Sequence, residues 1–467
     1  MFLAATAAVE ARFPEYIAGY LIQIPALVLG YFYATKFDLL NRYPRWQQRV
    51  LLLISFAIPL QNTFVLKAAR KYLMDGNVAL EAFRPAVFIL LVVTAASLAN
   101  NDKLRLPKLI VASFVTGLFG WLLSSSASDY PGVSLGTGLF EFLCPFAAVY
   151  ALSVNALDRA FLLHCLKLFI ISFALVALAQ ASVILATDCS DAVLGLPLLA
   201  DEFLELKKSL PLMQVAGANA YGNTDNFVSL WVLIIPLTAG LYYRRKSALW
   251  AIALFALLYL GLLVYSRSGI LAVTCGLTGI VVHRAVAFRA FSALPAAALA
   301  ALLLIHVPSG GAKYFVDGIY SFITTLQYPT KEIHSYDASG VDRMEAMRRG
   351  VAIASEHPIT GVGYGVYPIV EPELTAPHNM LLLRFAEGGI FSAVSLLLLA
   401  SFAIASAWRQ FFSRDIVAMT AAIGLGCFLL KGMIFGATFS IGGQISWGFG
   451  VAILIAVLST QTNRNNV

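Results

Sequence analysis

Long, uninterrupted apolar runs recur from one end of this chain to the other, each close to the ~20 residues an α-helix needs to cross a bilayer. They are read at 16–35, 50–69, 86–100, 108–125, 133–153, 161–187, 224–243, 248–265, 268–283, 291–307, 381–407, 416–436 and 445–460. The runs are continuous and do not alternate with polar residues, which excludes a membrane β-barrel. Of the 467 residues, 60% are hydrophobic and 12% charged, against roughly 25% charged in a soluble domain. The expected fold is all-α: one integral membrane domain over 1–467, a polytopic transmembrane bundle of about 12–13 spans. No internal repeat, heptad pattern or second soluble domain is visible.

The net charge of +7 does not point to nucleic acid, because basic residues in a membrane protein set orientation and no basic-aromatic tract appears. One set of short loops carries seventeen lysines and arginines, among them Arg42, Arg45, Arg49, Arg244, Arg245 and Lys246. By the positive-inside rule these loops are cytoplasmic, with the carboxyl terminus inside. No cleavable leader is expected, since Glu10, Arg12 and Glu15 precede the first apolar run. Cys144, Cys165, Cys189, Cys275 and Cys427 show no spacing of a metal site or disulfide framework.

This orientation puts two large segments outside, 188–223 and 308–380. Loops longer than ~12–15 residues are usually functional or disordered. In the second, Asp342 with Glu345 resembles a capping box, and Met344, Met347, Val351 and Ala354 form an apolar stripe among Arg343, Arg348 and Arg349. The helix should stop before Pro358. It suits either the membrane interface or a small helix covering the bundle.

Two short stretches carry most of the chemistry. Ser266-Arg267-Ser268-Gly269 joins two apolar runs with almost no loop. An arginine there can simply snorkel to the interface, or present a permanent planar cation to a diphosphate. Pro377-His378-Asn379 opens another run. A histidine at that rim can cap a helix, or act as general base toward a sugar hydroxyl, its ordinary pKa of ~6.5 being suited to that role. Lys431 and Arg384 lie about 7–8 Å deep by helix rise, and Glu141 lies about eight residues in from the outer end of a third span. Arg384 is expected to pair with Glu387 at i+3. Lys431 can pair with Glu141, contact phosphate or mark a transport path. Gly361-Val362-Gly363-Tyr364-Gly365 permits close backbone approach, but lacks the strand-then-helix context of a nucleotide loop. Before the span at 224 and in its first residues, Lys207, Lys208, Asn219, Gly222, Asn223, Asp225 and Asn226 supply polar groups, the lysines solvated or poised above a phosphate. No outer acidic cluster has convincing metal-ligand spacing.

Taken in order, Gly222-Asn223, Ser266-Arg267-Ser268-Gly269, Arg343, His357-Pro358, Gly361-Val362-Gly363-Tyr364-Gly365, Pro377-His378-Asn379 and Glu387-Gly388-Gly389 resemble the O-antigen ligase and polymerase family of bacterial membrane glycosyltransferases over 215–395. The resemblance implies a C-type membrane glycosyltransferase fold. It also implies a multi-pass inner-membrane enzyme working at the periplasmic face without metal or other cofactor. The donor would be a glycan on undecaprenyl diphosphate; the acceptor would be lipid A-core or a second lipid-linked glycan, in contact with membrane lipid and without nucleic acid. By position, His378 becomes the base and Arg267 the diphosphate ligand, with Arg343 matching the family's loop-helix arginine. Lys431, Lys207 and Lys208 join the diphosphate contacts, and Ser266, Asn223 and Asn379 the sugar or loop contacts. The family has a second arginine before the Gly-Asn entry; here the nearest cations are Lys207 and Lys208, which lack the bidentate fork.

Within that family a ligase joins O-antigen to lipid A-core, the favoured expectation, and a polymerase extends one lipid-linked chain with another. A polytopic permease is a third reading, suggested by Glu141 and Lys431; the polar residues, however, gather outside the midplane where transporters place their sites.

Overall fold

In the computed structural model the described residues are 28, 31–32, 34–36, 38–43, 45–60, 85–99, 106–156, 159–186, 224–264, 267–288, 338–372, 376–377, 379–411, 413, 415–435 and 441–462. Their regular secondary structure is wholly helical. After a single turn at Leu39–Arg42, the helices are α1 Trp46–Leu60, α2 Pro85–Ala99, α3 Lys108–Ala127, α4 Pro131–Gly138, α5 Cys144–Asn155, α6 Arg159–Ala186, α7 Thr224–Arg245 and α8 Ala248–Val264. They continue as α9 Arg267–Phe288, α10 Ala338–Glu356, α11 Tyr367–Val370, α12 Met380–Phe411, α13 Ile416–Phe435 and α14 Ile441–Thr462. A π-helical turn, Leu139–Leu143, joins α4 to α5, so the apolar run over 133–153 is one continuous helical passage with a bulge at Glu141. Three described helices, α3, α12 and Ile416–Met433 of α13, are long and apolar enough by themselves to cross a membrane. The expected spans over 16–35 and 291–307, the second part of the span over 50–69, and the loop 188–223 lie largely or wholly outside the described residues.

Helix direction follows from the contacts. Gly276 and Gly279 of α9 face Cys427 and Ile423 of α13, and His283 Nε2 meets the Ser413 carbonyl at 2.8 Å, so these helices run antiparallel. Gly240 of α7 faces Thr420 of α13, while Ser229 reaches Lys431; α7 too is antiparallel to α13. Gly432, near the end of α13, faces Met380, the first residue of α12. The helices α7, α9 and α12 therefore all begin at one end of the bundle, here termed the entry face.

Small residues let α3 and α12 approach closely, the usual solution where lipid offers no hydrophobic drive between helices. Ser113 Oγ donates to the Ser395 carbonyl at 2.8 Å and Ser395 Oγ to the Ser113 carbonyl at 2.7 Å. A Cβ at Gly120 would stand 2.6 Å from Ser392 Oγ.

The apolar run read as one span at 381–407 is broken. At Gly389 the backbone takes φ 65° and ψ −168°, a conformation open to glycine and strained for other residues. This separates a short segment, Met380–Gly388, from the long remainder of α12. Freed backbone groups within a membrane need partners, and the Gly361–Gly365 segment supplies them. Val362 N–H donates to the Ala386 carbonyl at 3.0 Å, Gly363 N–H to the Glu387 carbonyl at 2.8 Å, and Ile390 N–H to the Pro358 carbonyl at 2.9 Å. Ser124 Oγ of α3 adds a bond to the Glu387 carbonyl at 2.6 Å. Gly361, Gly363 and Gly365 all have positive φ. A Cβ at Gly361 would lie 2.4 Å from the Glu387 carbonyl group, and one at Gly389 only 2.0 Å from the Ile359 oxygen. The glycines bring backbone against backbone, forming a clasp around the helix break.

A small second core sits on the entry face. Ile353 and Ala354 of α10, Tyr367 of α11, and Leu383 and Ala386 of α12 bury one another. The helix α10 starts at Ala338, so Asp342 lies inside it and is not its cap. It stops at Glu356, before Pro358, as expected. Its buried face is Ala346, Gly350, Ile353 and Ala354, while Met347 and Val351 are exposed. Small residues pack α10 against α12 and turn the larger apolar side chains of the expected stripe outward. Arg349 pairs with Glu371 at 2.7 Å, and Tyr367 Oη donates to the Ala346 carbonyl at 3.0 Å.

Candidate active site

The entry to α12 is fixed from both sides of position 378. Pro377 is buried against Gly350 of α10, where a Cβ would stand 2.8 Å from the proline ring. Asn379 Oδ1 accepts the Leu382 N–H at 2.9 Å, and its carbonyl accepts the Leu383 N–H at 2.9 Å. That is N-cap geometry, satisfying donors a helix start leaves open. Asn379, expected as a sugar or loop contact, thus has its side-chain oxygen engaged in the helix start. His378 itself lies outside the described residues, as do Lys207, Lys208, Asn223 and Ser266.

The remaining expected cations belong to helices that reach this face. Arg267 is the first residue of α9, and Arg343 lies in the first half of α10; the side chains of both are outside the described residues. Lys431 is 1% exposed and sits near the entry-face end of α13. Its Nζ donates to Ser229 Oγ of α7 at 3.0 Å, a partner that the depth estimate from sequence did not identify. The Glu141 side chain is outside the described residues.

Arg384 and Glu387 form the expected i,i+3 pair, at 4.0 Å and with both side chains buried. Their surroundings go beyond that expectation. Arg384 lies over the Tyr364 ring, 5.0 Å from its centroid, a cation–π contact favoured by burial. Glu387 Oε1 accepts the Gly365 N–H at 3.1 Å. Tyr364 is fully buried: its N–H donates to Ser134 Oγ at 2.9 Å, and its hydroxyl to Ser392 Oγ. The pair therefore locks the clasp onto the short segment of α12 that follows His378. Nothing in the spacing of 361–365 announced this; the serines Ser124, Ser125, Ser128 and Ser134, clustered where α3 turns into α4, were the available signal.

Beside the pair lies a cavity of about 100 Å³ between α3, α5, α12, α13 and α14. Its walls are mainly apolar, including Phe114, Phe142, Leu396 and Phe428, with Arg384, Ser392 and Ser395 as polar lining. Among the described residues no group of three or more His, Cys, Asp or Glu side chains could hold a metal ion.

The fold and these features define a polytopic helical membrane protein with a histidine-bearing helix start clasped at one face. Residues 252–397 match the family model described as O-Antigen ligase. That stretch runs from α8 through Arg267, Arg343, the clasp and His378 to the middle of α12, and the match supports membership of the O-antigen ligase family. The match supports glycosyl transfer of the O-antigen ligase and polymerase type in general. No curated protein matches the chain.

Proposed function

We propose that this protein transfers a glycan from undecaprenyl diphosphate to an acceptor sugar hydroxyl at the periplasmic face of the inner membrane, and that it acts as a ligase joining O-antigen to lipid A-core. The observation that carries the reading is the family domain over 252–397, which contains the helix starts of α9 and α12 at one end of the bundle. The acceptor hydroxyl attacks the anomeric carbon from the face opposite the leaving group, and the bond to the diphosphate oxygen breaks with inversion. His378 takes the hydroxyl proton. The electron pair leaves with polyprenyl diphosphate, whose growing negative charge is met by Arg267, Arg343 and Lys431, with Lys207 and Lys208 from the preceding loop. Loss of one such fixed donor commonly costs ~10²–10³ in rate. The cations suffice for this role without metal.

The fixed neighbours of His378 support the assignment of the base. Pro377 packed on Gly350 and Asn379 capping α12 restrict where an imidazole between them can go. Ser266 and Asn223 are assigned to the sugar side of the donor.

The test is a product assay. Purified protein, a polyprenyl-diphosphate glycan and a lipid A-core acceptor should give glycosylated lipid without nucleotide or added metal. Longer polymer from donor alone would identify the polymerase instead. Solute flux without any covalent product would overturn glycosyl transfer altogether.

A further inference from the structure

The face opposite the entry face carries a cationic site that glycosyl transfer does not use. Lys167 lies about 12 Å along α6 from its first residue, Arg159, by helix rise, and it is only 7% exposed. With 28 residues, α6 is about 42 Å long against a hydrocarbon core of about 30 Å, so the helix is longer than the hydrocarbon by roughly 12 Å. Arg244 and Arg245 close α7 at the same end of the bundle, where α8 packs on both α6 and α7, and their charges act against that of Lys167. Among the described residues none of these three cations has a carboxylate partner. The nearby Arg159 differs, since it pairs with Asp415.

A buried ammonium beside two like charges is expensive unless an anion offsets it. The position also specifies the anion. The adjoining helix α8 packs on α6 and presents Leu249, Ile252 and Phe255 outward as an exposed apolar stripe. Cations at the rim and an apolar stripe beside them fit a molecule with a phosphate head and hydrocarbon tails, and basic pockets between membrane helices recurrently bind such head groups.

We propose that Lys167, Arg244 and Arg245 bind the phosphate of an anionic phospholipid at the face opposite the candidate active site. Lys167 supplies a point charge from within, and the exposed arginines close on the phosphate oxygens from outside. The acyl chains lie along α8.

The experiment uses full-length protein in nanodiscs of phosphatidylcholine, with or without phosphatidylglycerol, reading thermal midpoint and, by native mass spectrometry, retained lipid. Phosphatidylglycerol should raise the wild-type midpoint by a few degrees and remain bound. In Lys167→Met, and separately in Arg244→Gln/Arg245→Gln, both effects should fall to less than half. The second variant changes exposed side chains only, so it carries the test if the first does not fold. Equal shifts and retention in wild type and the arginine variant would overturn the proposal. So would a full shift from inorganic phosphate in phosphatidylcholine alone, which would make the site one for a free anion.

Discussion

The amide of Gly363 donates to the carbonyl oxygen of Glu387 across 2.8 Å, joining the glycine-rich segment to the last turn before the break in α12. The bond explains why a helix can be interrupted here: the interrupted groups find partners in the clasp, which also fixes the short segment carrying Asn379, Arg384 and Glu387.

If the break depends on glycine, Gly389→Ala should be among the most damaging small substitutions in the chain. This positive-φ, extended-ψ conformation alone costs about 1–3 kcal/mol for an L-residue, and the added carbon would meet the Ile359 oxygen at 2.0 Å. Thermal unfolding in detergent should show a drop of several degrees together with loss of turnover. Gly132→Ala, where a Cβ meets nothing within 4 Å, serves as control and should change neither.

The Arg384–Glu387 pair should behave as a buried ion pair, in which removing one partner leaves the other charge uncompensated. Such losses run to about 3–5 kcal/mol. Glu387→Ala also removes the acceptor of the Gly365 N–H, whereas Glu387→Gln keeps an acceptor and loses only charge. Stability should fall in the order wild type, Gln, Ala, and Arg384→Met should recover part of the loss in the Gln background. Additive effects in that double-mutant cycle would show that the two groups are not coupled.

Tyr367 predicts an alkaline limit for the entry-face core. Burial raises its phenol to about 12, with the Glu371 charge adding to the effect. A raised acid favours the neutral form in the folded state. Its contribution is therefore whole below the ordinary value of 10.0 and is lost as pH climbs through about 12. Tyr367→Phe should cost about 1 kcal/mol near neutrality, through the lost bond to the Ala346 carbonyl, and should flatten the stability loss between pH 10 and 12. Parallel alkaline profiles for wild type and variant would contradict this.

Apolar run length made the membrane helices legible: α7, α8 and α13 begin and end within a few residues of their expected limits, because hydrocarbon thickness fixes them. The break at Gly389 was not legible. Its stabilising partners lie at 358–363, far from it in sequence, and no local pattern couples the two. The face of α10 was misjudged because hydropathy weights Met347 and Val351, whereas close approach to Pro377 and Leu382 selects Gly350. For Lys431, its place near the end of α13 could be counted from the sequence, but Ser229 as its partner required the packing of α7 on α13. Arg384 was correctly paired with Glu387, while the Tyr364 ring above it and the cavity beside it arise only from tertiary assembly.

The most direct measurement is single-turnover glycosyl transfer by His378→Ala and Arg267→Ala protein, alongside equilibrium binding of the polyprenyl-diphosphate donor. The account predicts that His378→Ala binds donor nearly as wild type yet forms no product, and that Arg267→Ala loses both donor affinity and rate. Product formation at the wild-type rate by His378→Ala would contradict it.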